Sequence, residues 1–374
     1  MPCLGSAVLF VLSAAGAIPA QAAVTCVATS AQLVAALATA AENGQHDDIR
    51  LRRGTYQASQ PGQFAYITNV DEPFDLVVSG DWNANCTQQG NDPFSTIVDG
   101  NGASRGMKLL ANSEDADLEV RLLTFLNGVA TSQEDNYGGG LSIGVADVSQ
   151  SSIIRVERNV FLLNQASSSG GLSVSGGAFQ QVINNVFVAN TAQRTSAATM
   201  QCRHAITSDD HPGFGAFANN TIVDNEYLES DAQTAYITCR GGAIVANNNF
   251  DGNSGSLDLV FQRGIDDPGT FTLRNNNIHG HTPADVDEDN IDVVPEYEDG
   301  FLSFTPVRSS PLVDAGTEPA GVLALWYLTD FDMRALPREI GPHVDIGAYE
   351  NERIFVDGFD PSGPFGLAGA RVAE

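Results

Sequence analysis

The chain has 374 residues, of which 46 are acidic and only 18 are Lys or Arg, so its formal net charge is −28. A field of that sign repels nucleic acid, and repels acidic polysaccharide unless a metal or a local arginine cluster intervenes. Beyond the first residues no segment approaches 18 uncharged apolar residues, which excludes a membrane-spanning helix in the mature chain.

The opening residues set the expected compartment. Residues 6–19 (SAVLFVLSAAGAIP) are small or apolar, and Ala20-Gln21-Ala22 follows as a small-x-small site. The apolar core is too short to span a bilayer and reads as a secretory signal over 1–22. Four cysteines follow it: Cys26, Cys86, Cys202 and Cys239. An even number in an exported chain points to disulfides, and shared regions of the chain pair Cys26 with Cys86 and Cys202 with Cys239. Each loop of that length would contribute roughly 4 kcal/mol. A metal site would want close pairs such as CxxC, and there are none.

Residues 23–56 read as an N-terminal cap. Thr29-Ser30-Ala31-Gln32 is a capping-box pattern, followed by an amphipathic stretch (Leu33, Val34, Leu37, Ala41) that stops at Asn43-Gly44, then by a strand-like IRLRRGTY. From 57 to 310 a phrase recurs. Arg158-Asn159-Val160-Phe161 is followed by Asn184-Asn185-Val186-Phe187, Asn219-Asn220-Thr221-Ile222, Asn248-Asn249-Phe250 and Asn276-Asn277-Ile278. From Phe161 the apolar anchors step by 26, 35, 28 and 28 residues, and Asn recurs three places later at Asn164, Asn190, Asn225 and Asn253. Ile97 and Phe125 read as two earlier anchors.

Short runs of period-two alternation, such as Ile154-Arg155-Val156-Glu157 and Phe271-Thr272-Leu273-Arg274, lie between anchors, separated by Gly-Gly and Asn-rich turns. A helix-free unit of under thirty residues cannot bury its apolar face alone and must stack on copies of itself. The expected fold is therefore all-β: a single-stranded right-handed parallel β-helix with an N-terminal capping helix. Stacking would put equivalent asparagines about 4.8 Å apart, where each amide can bond the next.

At this point the chain resembles exported bacterial right-handed β-helix proteins of the choice-of-anchor group. DDIRLRRGTY, VVSGDWNANC and TIVDGNGASRG are similar to their opening. Ser310-Pro311-Leu312-Val313-Asp314-Ala315-Gly316 and Asp345-Ile346-Gly347-Ala348-Tyr349-Glu350 are similar to their terminal signature. The resemblance implies a closing segment over 311–350 and an attachment or export tail over 351–374. That tail, Arg353-Ile354-Phe355-Val356-Asp357-Gly358-Phe359-Asp360, resembles a C-terminal motif of exported proteins in some Gram-negative bacteria. It implies a secreted or cell-surface protein of such a bacterium.

Two clusters carry candidate chemistry. Arg203, His204 and Asp210 fall in the longest inter-repeat spacing, and Arg240 would join them if Cys202 bonds Cys239. Cation, imidazole and carboxylate would then share one neighbourhood, as a polysaccharide lyase or glycoside hydrolase requires. Asp285, Asp287 and Asp289, with Glu296 at the twelfth place, mimic a calcium loop in which Asn290 replaces the usual glycine. No other cofactor is expected. The first functional expectation is a non-catalytic, monomeric glycan-binding or adhesin-like module, because a flat solenoid face offers rows of Asn, Thr and Ser suited to sugar hydroxyls. The alternative is the lyase or hydrolase.

Overall fold

The computed structural model describes residues 22–68, 73–112, 115–132, 136–145, 151–176, 179–202, 213–229, 232–263, 269–300, 302–318, 331–338 and 340–351. Among them the chain is all-β apart from one helix and a short 3₁₀ turn, and every sheet is parallel. Among the described residues sheet A has ten strands, from Ala23–Val27 to Val286–Glu288; sheet B has seven, from Gly54–Gln57 to Asn249–Asp251; sheet C has seven, from Ala65–Ile67 to Leu259–Phe261; and sheet D has four, from Val129–Ala130 to Glu226–Tyr227. Except for the first two strands, Ala23–Val27 and Asp47–Arg52, and the last two, Thr270–Arg274 and Val286–Glu288, which are neighbours within sheet A, consecutive strands belong to different sheets, and each strand pairs with its equivalent one coil away. This is the coil-on-coil arrangement of a β-solenoid.

Period-two alternation decides which way each strand faces. Asp47–Arg52 buries Ile49 and Leu51 and turns Asp48, Arg50 and Arg52 outward, and Leu118–Arg121 repeats the pattern. Inside, Phe125, Phe161 and Phe187 sit in register with ring centroids 5.2 and 4.7 Å apart, and Ile222 and Phe250 continue the row. One expected anchor is off by a residue: Val98, fully buried, pairs with Phe125, whereas Ile97 pairs with Thr124 and faces outward. A one-residue slip exchanges the two faces of a strand.

The two asparagines of each repeat divide the work of the turn. The residue at the first position is left-handed: φ is 53° at Asn184, 54° at Asn219 and 56° at Asn247, with Arg158 filling the same place at 51°. The second asparagine turns inward and bonds the next coil. Asn159, Asn185, Asn220, Asn248, Asn276 and Asn290 are joined Nδ2 to Oδ1 at 2.9–3.2 Å. Each Nδ2 also donates to a main-chain carbonyl of the neighbouring coil, as Asn185 does to Val156 at 2.9 Å. A second ladder, Asn164–Asn190–Asn225–Asn253, runs at the next turn with spacings of 2.9–3.0 Å.

The helix Ser30–Ala40 closes the first coil. Thr29 caps it by accepting from Gln32 N, and Gln32 Oε1 reaches back to the Ala28 N–H at 2.8 Å. Its buried face is Leu33, Ala36, Leu37 and Ala40, which join the same apolar column as Ile49 and Leu51; Val34 and Ala41 are only partly buried. Both expected disulfides form. Cys26, in the first strand, bonds Cys86 with Cα atoms 5.7 Å apart, and Cys202 bonds its in-register neighbour Cys239 at 4.3 Å.

The described residues of this last part (292–300, 302–318, 331–338 and 340–351) do not add a further coil. They run back as a strap along the outside of the turns between sheets A and B. Asn275 Nδ2 donates to Ala315 O, Thr317 N to Asn247 Oδ1, Asn184 Nδ2 to Phe331 O and Ala348 N to Thr221 Oγ1, all at 2.8–3.0 Å. Met333, Ala348 and Tyr349 pack on the outward side chains Val160, Val186 and Val188 of sheet B. The SPLVDAG and DIGAYE segments knot together inside the strap. Asp345 accepts from Asp314 N at 2.8 Å and from Asn351 N at 2.7 Å, while buried Arg338 lies 3.2 Å from Glu350 and donates to Gly347 O at 2.9 Å.

Candidate functional site

Sheets A and C present opposite chemistry to solvent. Outward positions of several sheet A strands carry charges that pair along the strand, as Arg155 with Glu157 at 2.9 Å, whereas Phe179–Ile183, Gly215–Ala218 and Gly242–Ala246 turn a buried apolar cluster outward. Such exposed pairs are an ordinary solvated face. Across sheet C the outward row is Lys108, Ser142, Ser173, Thr199 and Tyr236, held in register by the ladder, and Ser175, Gln201 and Thr238 stand in the row beside it. Beyond Lys108, hydroxyls and amides replace charge there.

A cleft of about 260 Å³ opens on this face, lined by Tyr137, Arg194, Gln201, Gln233 and Tyr236 together with Ser168, Thr195 and Thr199. Gln233 Nε2 donates to Thr195 Oγ1 at 2.8 Å, and Ser169 Oγ to Thr199 Oγ1 at 2.7 Å, so the floor is pre-organised. Tyr137 is 45 % exposed and Arg194 stands at the rim, 4.0 Å from Glu229. Two aromatic rings, two amides, three hydroxyls and one guanidinium can stack on a sugar ring and bond its hydroxyls. No carboxylate is among the described lining residues.

Arg203, His204 and Asp210 lie outside the described residues. Arg240 follows Cys239 directly, its N–H donating to Cys202 O at 3.3 Å and its carbonyl accepting from Gly269 N at 3.0 Å. The disulfide thus fixes Cys202 next to Gln201, which lines the cleft.

The acidic run expected to form a calcium loop is the outer edge of the last coil, and its members have separate partners. Asp285 pairs with Arg263, which together with the Phe271 N–H holds its carboxyl below the usual range. Asp287 accepts from Asn290 Nδ2 at 2.8 Å, Asp289 takes a left-handed φ of 55°, and Glu296 accepts from Ser309 Oγ at 2.6 Å. Asn290, the expected turn residue of a calcium loop, is instead the last rung of the asparagine ladder. Among the described residues no group of three or more His, Cys, Asp or Glu side chains converges as a metal would need.

The asparagines expected to face a sugar are fully buried, with their amides spent on one another and on the main chain. They build the fold and cannot reach a ligand. The cleft residues escaped sequence reading because Tyr137, Arg194 and Gln233 come from three coils. The available signal was weaker: uncharged outward positions in TSAATMQC and QTAYITC, where the sheet A strands Leu118–Arg121 and Ile153–Glu157 have Arg and Glu.

Scans against protein-family models, curated proteins and solved structures found no match to this chain. Among the described residues no helix is long and apolar enough to cross a membrane. Two disulfides fit an oxidising, extracellular setting.

Proposed function

We propose that this is an exported right-handed, single-stranded β-helix protein of the choice-of-anchor type, which binds an extracellular glycan on the outer face of sheet C without cleaving it. Right-handedness follows from the strong bias of parallel crossover connections. The observation that carries the binding reading is the cleft's composition: two tyrosines with hydroxyls and amides in fixed register, and, among the described residues, no lining carboxylate. Secretion from a Gram-negative cell, with the tail over 351–374 used for attachment or export, belongs to the same proposal.

The test is retention on a panel of neutral and acidic polysaccharides, with unsaturated-sugar absorbance and new reducing ends followed in parallel. Saturable retention that Tyr236→Ala abolishes, with neither product appearing, is the expected result. The cleft residue Gln201 stands next to Cys202, which bonds Cys239, and this favours one second reading, a lyase or hydrolase using Arg203, His204, Asp210 and Arg240. Turnover lost in His204→Ala would establish that reading and remove the first.

A further inference from the structure

Where the strap passes the first coils it does not lie flush. It roofs a cavity of about 600 Å³ against the loop that contains Asp92 and the turn Pro93–Ser95. That volume falls in the range of small-ligand sites, roughly 300–1,000 Å³. One wall is apolar, formed by Phe94, Leu302 and Met333, and Phe94 is 37 % exposed.

Two polar groups on the surface of this cavity offer hydrogen-bonding capacity that no described residue takes up, the Arg53 side chain being 60 % exposed. Tyr349 is 5 % exposed, and its hydroxyl makes no hydrogen bond to any described residue. Its ring is fixed from behind by Arg334, whose guanidinium lies 5.6 Å from the ring centre and is itself held by buried Asp332 at 3.2 Å. Arg53 commits Nε to Asp81 at 2.5 Å, and its two terminal amino groups bond no described residue.

The charges decide the class of ligand. Arg53 and Arg334 line the cavity with Asp81, Asp92 and Glu298, so cation and anion nearly cancel and a net charge on the ligand gains little. Donors and acceptors side by side suit hydroxyl groups, which both give and take hydrogen bonds, and the exposed Phe94 ring suits the apolar face of a sugar.

We propose that the strap cavity binds one neutral hexose unit, such as the free end of a glycan chain. The Tyr349 hydroxyl and the Arg53 guanidinium would bond its hydroxyls, with Phe94 packed on its ring. The inference takes only the class of ligand from the glycan reading, since the cavity and the sheet C cleft share no lining residue.

The test is to titrate glucose, galactose and mannose separately into the full chain by calorimetry, with glucuronate and glucosamine as charged counterparts. At least one neutral hexose should bind saturably. Tyr349→Phe, which removes one oxygen, should weaken it roughly five- to tenfold at an unchanged melting temperature. Phe94→Ala should weaken it as well, and Tyr236→Ala should leave it intact. Silence with all three neutral hexoses overturns the proposal, as does tighter binding of a charged sugar or indifference to Tyr349→Phe. Hexose binding without polysaccharide retention would defeat the sheet C reading alone, and the converse would defeat this one alone.

Discussion

Asparagine does two unlike things in this chain, and substitutions should separate them. Asn185 Oδ1 accepts from the Asn159 N–H and Nδ2, while its own Nδ2 donates to Val156 O, Ile183 O and Asn220 Oδ1. Asn185→Ala strands several buried polar groups at once, and should cost about 3 kcal/mol in urea unfolding. At the neighbouring turn Leu163 holds φ at 55° although its side chain is 53 % exposed. A left-handed leucine costs about 1–2 kcal/mol, and little packing is lost with it. Leu163→Gly should therefore raise stability, by roughly 0.5–1 kcal/mol after the added freedom of the unfolded chain is deducted. A loss in that variant would mean that the conformational strain is compensated in place.

At the scale of elements, what could be read in advance was whatever depends on neighbours in sequence. Thr29 and Gln32 mark the helix start, and the Asn-Asn phrase marks both ladders, because each rung recurs at almost constant spacing. The Ile97 anchor slipped by one residue because neither of its neighbours is an asparagine to fix the phase. The strap was illegible for a different reason. Its seat on Val160, Val186 and Val188 exists only once three coils have stacked, so nothing in 311–350 taken alone specifies it. The same burial makes the strap sensitive to pH. Burial pushes the Glu350 carboxyl from 4.5 up to about 8, and Asp345 from 3.8 up to about 6. Arg338 Nη1 lies 3.2 Å from Glu350 yet makes no hydrogen bond, so pairing only partly offsets the loss of water. A carboxyl with a raised folded pKa contributes stability that is complete below its unfolded value and vanishes as pH rises through the folded one. Strap docking should thus strengthen as pH falls from about 8 to about 6, by about 2 kcal/mol. Hydrogen exchange of the strap amides at the two pH values measures this, and Glu350→Gln should flatten the dependence.

At the scale of the molecule, two forces act across all coils. The first is self-repulsion from a net charge of −28. Screening shortens from about 30 Å at 0.01 M salt to about 10 Å at 0.1 M, so the melting temperature should rise over that interval at constant pH. The second is the strap. In an ordinary solenoid each repeat touches only its neighbours, and unfolding can start at an open end and stop between coils. Here the N-terminal end is closed by a helix, while the other ends in the strand Val286–Glu288. The strap contacts Asn275, Asn247, Thr221 and Asn184 in turn, so loss of the last coils also loosens earlier ones. It should make unfolding one cooperative step. Met333 is 1 % exposed between the strap and sheet B, and Met333→Asp would bury an unpaired charge there and release the contact. The variant should keep its far-ultraviolet β signal and the exchange protection of the asparagine ladders, yet unfold in two steps with the C-terminal coils leaving first. A single transition, merely shifted to lower denaturant, would mean that the ladders alone couple the coils and the strap only covers them.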